Sequence, residues 1–123
     1  MDYSQLSDFE INKLVANATG TQVEETYQFV NGGEDIADHM SGIVLMRKIT
    51  SNWKHWKLYD PCNSPADAWP IIADNHIGIA PYPNEAFAWS SRHGMASDLS
   101  TEDKNPLRAA MITFLLIQEQ VNA

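Results

Sequence analysis

The spacing of hydrophobic and polar positions predicts a helix near the start of the chain. Ser7 and Glu10 form an S-x-x-E capping box, in which each side chain can satisfy a backbone N–H group of the other. Apolar residues then recur at helical spacing until Gly20, whose freedom to adopt a left-handed conformation suits a helix end. We therefore expect a helix over about Asp8–Thr19.

A second strongly patterned helix is predicted at the other end of the chain. Asn105 is a good N-cap and Pro106 suits the first helical position. The residues that follow form a stripe that is almost wholly apolar, which is typical of a helix buried against a core. Its members are Leu107, Ala110, Met111, Phe114, Leu115, Gln118 and Val121.

Most of the middle of the chain has the composition of strands and turns. Strands are predicted at Thr21–Val30 and Gly42–Ile49, and a turn or flexible loop at Asn31-Gly32-Gly33. A hairpin is predicted from His76–Ala80 and Ala86–Ser90, joined by the four residues Pro81-Tyr82-Pro83-Asn84, and a polar loop at Arg92–Lys104. Ser51–Asp60 fits either a helical turn or an extended segment.

Two prolines leave two placements for a short middle helix. With Ser64 as the N-cap, Pro65 takes the first position, but Pro70 then falls at the sixth, where proline costs about 3 kcal/mol. With Asp67 as the N-cap, Pro70 lies in the first turn and loses no hydrogen bond. We favour the second placement, which predicts a helix over about Ala68–Asn75.

These elements predict an α+β fold in which a small, mostly antiparallel sheet carries the N- and C-terminal helices on one face. A chain of 123 residues, with 44% hydrophobic and 20% charged residues, corresponds to a single globular domain over residues 1–123. The longest apolar run, Ala109–Ile117, is too short to span a bilayer, so no membrane association is expected. Cys62 is the only cysteine, which suits a reducing cytoplasm.

The charge and the reactive side chains argue against several functions. A formal net charge of −8 repels phosphate backbones, so direct nucleic-acid binding is not expected. Asp35, Asp38 and His39 could share a helical face, but a solvated acidic turn is the favoured interpretation, because zinc sites need three or four converging ligands. Cys62 has no cationic neighbour, and Ser90-Ser91-Arg92-His93 is not a nucleophile elbow. We expect no metal, no cofactor and no catalytic residue.

The tryptophans are the best candidates for an interaction site. Trp53, Trp56, Trp69 and Trp89 would more often be core residues, but exposed tryptophan is a preferred interface anchor. The alternative is a small-molecule-binding protein or enzyme with a pocket near the Asp60–Asp67 turn and the Trp89–His93 segment. Asp60, Asp67 and His93 would then supply its polar groups.

Three segments resemble a known family. YDPCNSPADAWPII, the later Ala88-Trp89 and NPLRAAM are similar to the NinX-like proteins of tailed phages and their prophages. The similarity covers roughly Tyr59 to Val121, with a fainter likeness in the first helix. The chain departs from that pattern at Ile112, where relatives often carry Arg, and at Ala68-Trp69, which replaces a Gly-rich spacer. The matching positions are Tyr59, Pro61, Asp67, Trp69, Pro70, Ile71, Ile72, Trp89, Pro106, Leu107, Ala109, Ala110 and Met111.

The resemblance implies a small accessory protein expressed from a phage genome, and it transfers no catalytic residue. We therefore expect a non-enzymatic protein of the host bacterial cytoplasm that binds and modulates a host or phage protein. An acidic surface would speed encounter with a basic partner. The sequence says nothing about oligomeric state.

Overall fold

The structure, a computed structural model, describes residues 2–27, 43–48 and 56–122. This part of the chain contains helices at both ends and antiparallel strands, so the predicted α+β class is confirmed. The helices are α1 (Asp8–Thr19), α2 (Pro65–Asp74) and α3 (Pro106–Val121), preceded by a short 3-10 helix at Tyr3–Gln5. The strands are β1 (Val23–Tyr27), β2 (Ile43–Lys48), β3 (Trp56–Leu58), β4 (Ile77–Tyr82), β5 (Glu85–Ser90) and β6 (Ser100–Asp103).

The strands form two small antiparallel sheets, where the sequence had suggested one. The first sheet has the order β1-β2-β3 and the second has the order β4-β5-β6. Helix α3 packs across all three strands of the second sheet and also contacts α1 and α2, while α1 packs on β2 of the first. The two terminal helices therefore pack on each other and on different sheets.

Helix α3 forms the centre of the hydrophobic core. Every residue from Ala109 to Leu115 is buried, so the middle of the helix is surrounded on all sides. Around it pack Ile11 and Val15 of α1, Ile71 and Ile72 of α2, and apolar residues of the second sheet. A smaller cluster of Ala16, Leu45 and Tyr59 joins α1 to the first sheet. Each large side chain buried in this way contributes roughly 1.5–3 kcal/mol to folding.

The ends of α1 and the start of α3 are as predicted. Ser7 Oγ accepts the Glu10 N–H at 3.1 Å and the Glu10 carboxylate accepts the Ser7 N–H at 3.2 Å, which completes the capping box. Gly20 ends α1 in the left-handed region at φ 71°. Asn105 Oδ1 accepts the N–H groups of Leu107 and Arg108 at the start of α3. Each of these capping bonds is formed within a few residues of the helix end.

The favoured placement of α2 was wrong, and the Ser64-capped alternative is correct. Ser64 is the N-cap, Pro65 occupies the first turn, and Pro70 lies inside the helix. Asp67 cannot act as the cap because its buried carboxylate accepts the backbone N–H of Asp60 at 3.0 Å. This contact and the Ser64 cap favour the earlier helix start in spite of the interior proline. Ile71 and Ile72 point inward as predicted.

The second sheet differs from its prediction in two places. β4 continues through Pro81 to Tyr82, so a two-residue turn replaces the predicted four-residue connection. β4 is an edge strand of its sheet, where the missing N–H of a proline is tolerated. β6 lies within the predicted loop Arg92–Lys104, because its polar residues are held by backbone pairing to β5 and by the adjacent buried Leu99.

Several predictions lie wholly or partly outside the described residues. β1 and β2 fall within the predicted strands Thr21–Val30 and Gly42–Ile49, and β3 is the described part of the ambiguous Ser51–Asp60 segment. The predicted Asn31–Gly33 turn, the acidic group at Asp35–His39 and Trp53 are not among the described residues. In the ranges that are described, no helix has the combination of length and apolar character needed to cross a bilayer.

Candidate functional site

The turn after Tyr59 is fixed to α1 and α2 by a chain of hydrogen bonds that are buried or partly buried. Asn12 Nδ2 donates to Asp60 Oδ1 at 2.8 Å, and the Cys62 N–H donates to Asn12 Oδ1 at 3.0 Å. The Asp60 N–H in turn donates to Asp67 Oδ2 at 3.0 Å. The buried Asn12 side chain therefore bonds both Asp60 and Cys62 of the turn. The buried Asp67 carboxylate connects the turn to α2.

The same turn is bonded to the start of α3. Asn105 Nδ2 donates to the Cys62 carbonyl oxygen at 2.7 Å and to Asn63 Oδ1 at 2.9 Å, while Asn105 Oδ1 caps the helix. One turn later, Arg108 bridges Asp8 of α1 and Asp103 of β6 at 2.7 Å and 3.0 Å. We call this set the polar junction. It comprises Asp8, Asn12, Asp60, Asn63, Asp67, Asp103, Asn105 and Arg108.

The electrostatics of the polar junction are those of a structural element. Burial disfavours the charge of Arg108, but hydrogen bonds to Asp8 and Asp103 outweigh burial and raise its pKa. Burial, reinforced by the charge of Asp8, raises the pKa of the Cys62 thiol well above its ordinary value, which disfavours the nucleophilic thiolate form. Among the described residues, every buried side-chain nitrogen and oxygen has a hydrogen-bond partner. Asp60 and Asp67 are therefore both hydrogen-bonded within the polar junction.

His93, the third polar residue of the predicted pocket, lies on an exposed turn. His93 Nδ1 lies 2.8 Å from Ser90 Oγ, and the N–H groups of His93 and Gly94 both donate to the Ser90 carbonyl. Ser90 is only 1% exposed, so its hydroxyl is out of reach of a substrate. This Ser–His pair closes a turn and has no access for nucleophilic catalysis.

Asp60, Asp67 and His93 line three different cavities. Asp60 lies in a cavity of about 180 Å³ with Asp8 and Phe9. Asp67 lies in one of about 230 Å³ with Arg47, and His93 in one of about 520 Å³ with Asp98. Within the described ranges, the histidine, cysteine, aspartate and glutamate side chains form no group of three that could hold a metal ion.

The second sheet has one face against α3 and a chemically different outer face. Successive side chains of β5 point to opposite sides, and Ala86, Ala88 and Ser90 are buried. Thr113 of α3 bonds the Ala88 carbonyl at 3.3 Å and the hydroxyl of Thr101 at 3.1 Å, which fixes the inner side. Phe87 and Trp89 must therefore point outward.

The outer side of this sheet is built around a pair of stacked aromatic rings. The Phe87 and Trp89 ring centroids are 5.8 Å apart with an interplanar angle of 26°. A Cβ at Gly78, the cross-strand partner of Trp89, would lie 2.5 Å from the indole, so the indole rests directly on the glycine backbone. Both rings are partly buried, so together they form a packed aromatic platform on the outer side.

Two acidic residues and a tyrosine lie beside this platform. In the strand register Glu102 is opposite Phe87, and Glu85 is opposite Tyr82, whose side chain is 59% exposed. We define the outer aromatic face as the side chains and backbone that the register places on this side of the sheet. Its members are Gly78, Ala80, Tyr82, Glu85, Phe87, Trp89, Ser100 and Glu102.

The candidate tryptophans are thus distributed over different elements. Trp89 belongs to the outer aromatic face, whereas Trp69 is 65% exposed on α2. Trp56 belongs to β3, and Trp53 lies outside the described residues. Sequence reasoning did not identify Tyr82, Glu85, Phe87 and Glu102. The alternation of large and small residues in EAFAWS, at Glu85–Ser90, was the signal of a strand with two different faces.

Comparison with known proteins gives one family. The family model described as "Bacteriophage P22, NinX" matches residues 2–118, which is nearly the whole chain. No match was found among curated proteins or among solved structures.

Proposed function

Because the chain belongs to the bacteriophage P22 NinX family, we propose that it is a phage-encoded accessory protein that binds a host or phage protein and modulates it without catalysing a reaction. Its place of action is the cytoplasm of the infected bacterium. The partner is a protein, since a chain with a net charge of −8 repels nucleic acid.

The observation that carries this proposal is the outer aromatic face. Helix α3 covers the opposite side of the same sheet, and α2 makes only a small contact with β4. The outer side presents Phe87 and Trp89, which are stacked, and the exposed Tyr82. Stacked, conformationally restricted aromatic side chains bury large areas at low entropic cost, which is why they anchor protein interfaces.

The polar junction also supports a non-enzymatic function, because it differs from an enzyme active site. It contains eight charged and polar side chains, yet those groups bond one another. An enzyme active site keeps acid, base or nucleophile available to a substrate, in a concave pocket with convergent polar groups. Asp60, Asp67 and His93 lack this convergence, because they line separate cavities.

Affinity capture from lysate of phage-infected cells, read by mass spectrometry, tests the proposal. Two matched variants locate the surface: Tyr82→Ala removes an exposed aromatic from the outer aromatic face, and Trp69→Ala removes one from α2. Tyr82 is preferred to Trp89 because the Trp89 indole covers Gly78, so its loss would also disturb the sheet.

We expect a stoichiometric partner to be captured by the wild type and by Trp69→Ala, and its recovery to fall at least tenfold with Tyr82→Ala. Equal melting temperatures of the two variants would show that folding is intact. If only Trp69→Ala lost the partner, the interface would lie on α2 instead. A wild-type capture without any partner would overturn the proposal, and a screen of metabolites for thermal stabilisation would then test the pocket alternative.

A further inference from the structure

We propose that the outer aromatic face recognises its partner through an arginine side chain, which lies against Phe87 with Glu85 and Glu102 on either side of its guanidinium. This inference rests on the proposed function and adds the chemistry of the partner segment. The occupant is thus an extended or loop segment of another protein that carries an arginine next to apolar residues.

The arginine proposal is based on a cleft in the second sheet, at the end where β4 and β5 are joined. Tyr82, Glu85, Phe87 and Glu102 line this cleft together with Ala86, and its volume is about 240 Å³. Glu85 precedes Phe87 by two positions on β5, and Glu102 faces Phe87 from β6. Two carboxylates from neighbouring strands therefore lie beside one aromatic ring, and the exposed Tyr82 also lines the cleft.

Aromatic rings combined with carboxylates favour a guanidinium over other groups. A guanidinium is planar, stacks on aromatic faces, and can donate to two carboxylates through its fork of N–H groups. A lysine ammonium is a compact, strongly hydrated ion that gains less from stacking. An anion would meet two negative charges, and a purely apolar side chain would leave both carboxylates desolvated without a partner.

The cleft has no cation of its own within the described residues. Lys13 pairs with Glu25, Lys57 with Asp67, and Arg108 with Asp8 and Asp103, whereas none of the described lysines and arginines pairs with Glu85 or Glu102. The net charge of −8 adds a long-range attraction for a basic segment. The charge of the face is thus complementary to a cationic occupant.

The same charges argue against a second copy of this chain as the occupant. A symmetric dimer through the outer aromatic face would bring the Glu85 and Glu102 of one molecule towards those of the other, which is unfavourable. Sedimentation of the purified protein tests this directly. Self-association that is lost with Tyr82→Ala would show that the face binds itself and would overturn the arginine assignment.

The direct test uses two short peptides and nitrogen-15 NMR spectra of the full chain. The probe is acetyl-Leu-Arg-Leu-amide, and its control replaces arginine by citrulline, which has nearly the same shape without the charge. We expect the arginine peptide to shift the amides of β4, β5 and β6 around Tyr82, Phe87 and Glu102, and the citrulline peptide to bind at least fivefold more weakly. Equal binding of the two peptides, or shifts confined to other elements, would overturn the proposal.

Three carboxylate variants complete the test. Glu85→Gln and Glu102→Gln should each weaken binding of the arginine peptide at least threefold. Added salt should reduce the difference in affinity between the wild type and each variant. Glu24→Gln removes another exposed acid, from β1, and should leave binding unchanged. An equal loss with Glu24→Gln would show that only the overall charge matters and would contradict a specific site.

The two proposals fail in distinguishable ways. If the double variant Glu85→Gln/Glu102→Gln captures the same protein from lysate as the wild type while Tyr82→Ala does not, the interface stands and the arginine inference is wrong. If the arginine peptide binds the cleft but the wild type captures no partner, the cleft chemistry stands and the proposed function is wrong.

Discussion

At the scale of single residues, Arg108 holds together parts of the chain that are far apart in sequence. Its Nε donates to Asp103, its Nη1 to Asp8, and its Nη2 to the Leu6 carbonyl at 2.7 Å. The side chain is only 13% exposed. A planar guanidinium can make these three contacts at once because its donors point in fixed, different directions.

We predict that Arg108→Met lowers the free energy of unfolding by about 2–3 kcal/mol, as measured by urea denaturation. Removing one partner of a buried ion pair costs about 3–5 kcal/mol, and the 43% exposure of Asp8 reduces that figure. Arg108→Lys should recover only part of the loss, because an ammonium lacks the fork. Arg92→Met, at an exposed position, is the control and should stay within about 0.5 kcal/mol of wild type. An Arg108→Met protein as stable as this control would contradict the prediction.

Tyr3 gives a second residue-scale prediction, which concerns pH. Burial, with a hydrogen bond from its hydroxyl to Glu119, raises the pKa of Tyr3 to about 12 from an ordinary value near 10. Between these two values the unfolded chain loses the phenolic proton while the folded chain keeps it, so rising pH favours unfolding. The stabilisation is complete below about pH 10 and is lost as pH approaches 12.

The measurement is the free energy of unfolding of wild type and Tyr3→Phe as a function of pH. Groups that titrate alike in both proteins cancel in the difference, which should change only above about pH 10. There the wild type should lose stability faster than the variant. Parallel curves over this range would show that Tyr3 titrates like an unfolded tyrosine.

At the scale of elements, local signals predicted the helix ends well, and the other differences came from contacts made in the folded protein. The capping box at Ser7, the stop at Gly20 and the cap at Asn105 are formed within a few residues and were confirmed. The start of α2 was misplaced because Asp67 is engaged with Asp60, a contact that spacing does not show. β6 was missed because its strand conformation comes from pairing with β5.

The interior proline of α2 leads to a prediction of increased stability. Pro70 has no N–H to donate to the Ala66 carbonyl, and both residues are exposed. Pro70→Ala restores this donor and removes the ring from the helix interior, where proline costs about 3 kcal/mol. The unfolded chain gains freedom with the loss of proline, which offsets about 0.4–1 kcal/mol of that benefit. Since the native helix already accommodates the ring, we expect a net gain of about 1 kcal/mol.

Thermal and urea unfolding of Pro70→Ala and Pro65→Ala would check this. Pro65 is in the first turn, where its missing N–H has no intrahelical role, so its replacement should give no gain. A loss of stability with Pro70→Ala would mean that the pyrrolidine ring packs against the cavity that it lines with Ile71 and Asp74. Such a result would assign the proline a packing role.

At the scale of the whole molecule, the sequence indicated the candidate surface through one residue only. Trp89 was among the candidates, but the polar residues proposed with it, Asp60 and Asp67, belong to the polar junction instead. The partners of Trp89 on the outer aromatic face, such as Phe87 and Glu102, become neighbours through strand register. A register cannot be deduced from a single polar strand such as β6, so this surface required the structure.

The two sheets should differ in stability, because α3 supports only one of them extensively. β5 and β2 are matched for comparison: each has six residues and lies at the centre of its sheet. β5 packs along α3 and joins the main core cluster through Ala88, whereas the described part of the first sheet packs on α1 through Leu45 and a smaller cluster. Local opening free energy rises with buried apolar contact, so β5 should open only with the whole molecule.

Native-state hydrogen exchange measures this difference amide by amide. We expect the most protected amides to be those of Ala109–Leu115 and those of β5 that hydrogen-bond to β4 or β6. Their opening free energies should equal the free energy of global unfolding. The amides of β2 should exchange faster, through an opening of the first sheet that leaves α3 intact. Since the outer aromatic face lies on the more stable sheet, it would remain a rigid platform during such openings, as a binding surface with low entropic cost requires. Equal protection of β2 and β5 would show that both sheets unfold together with α3.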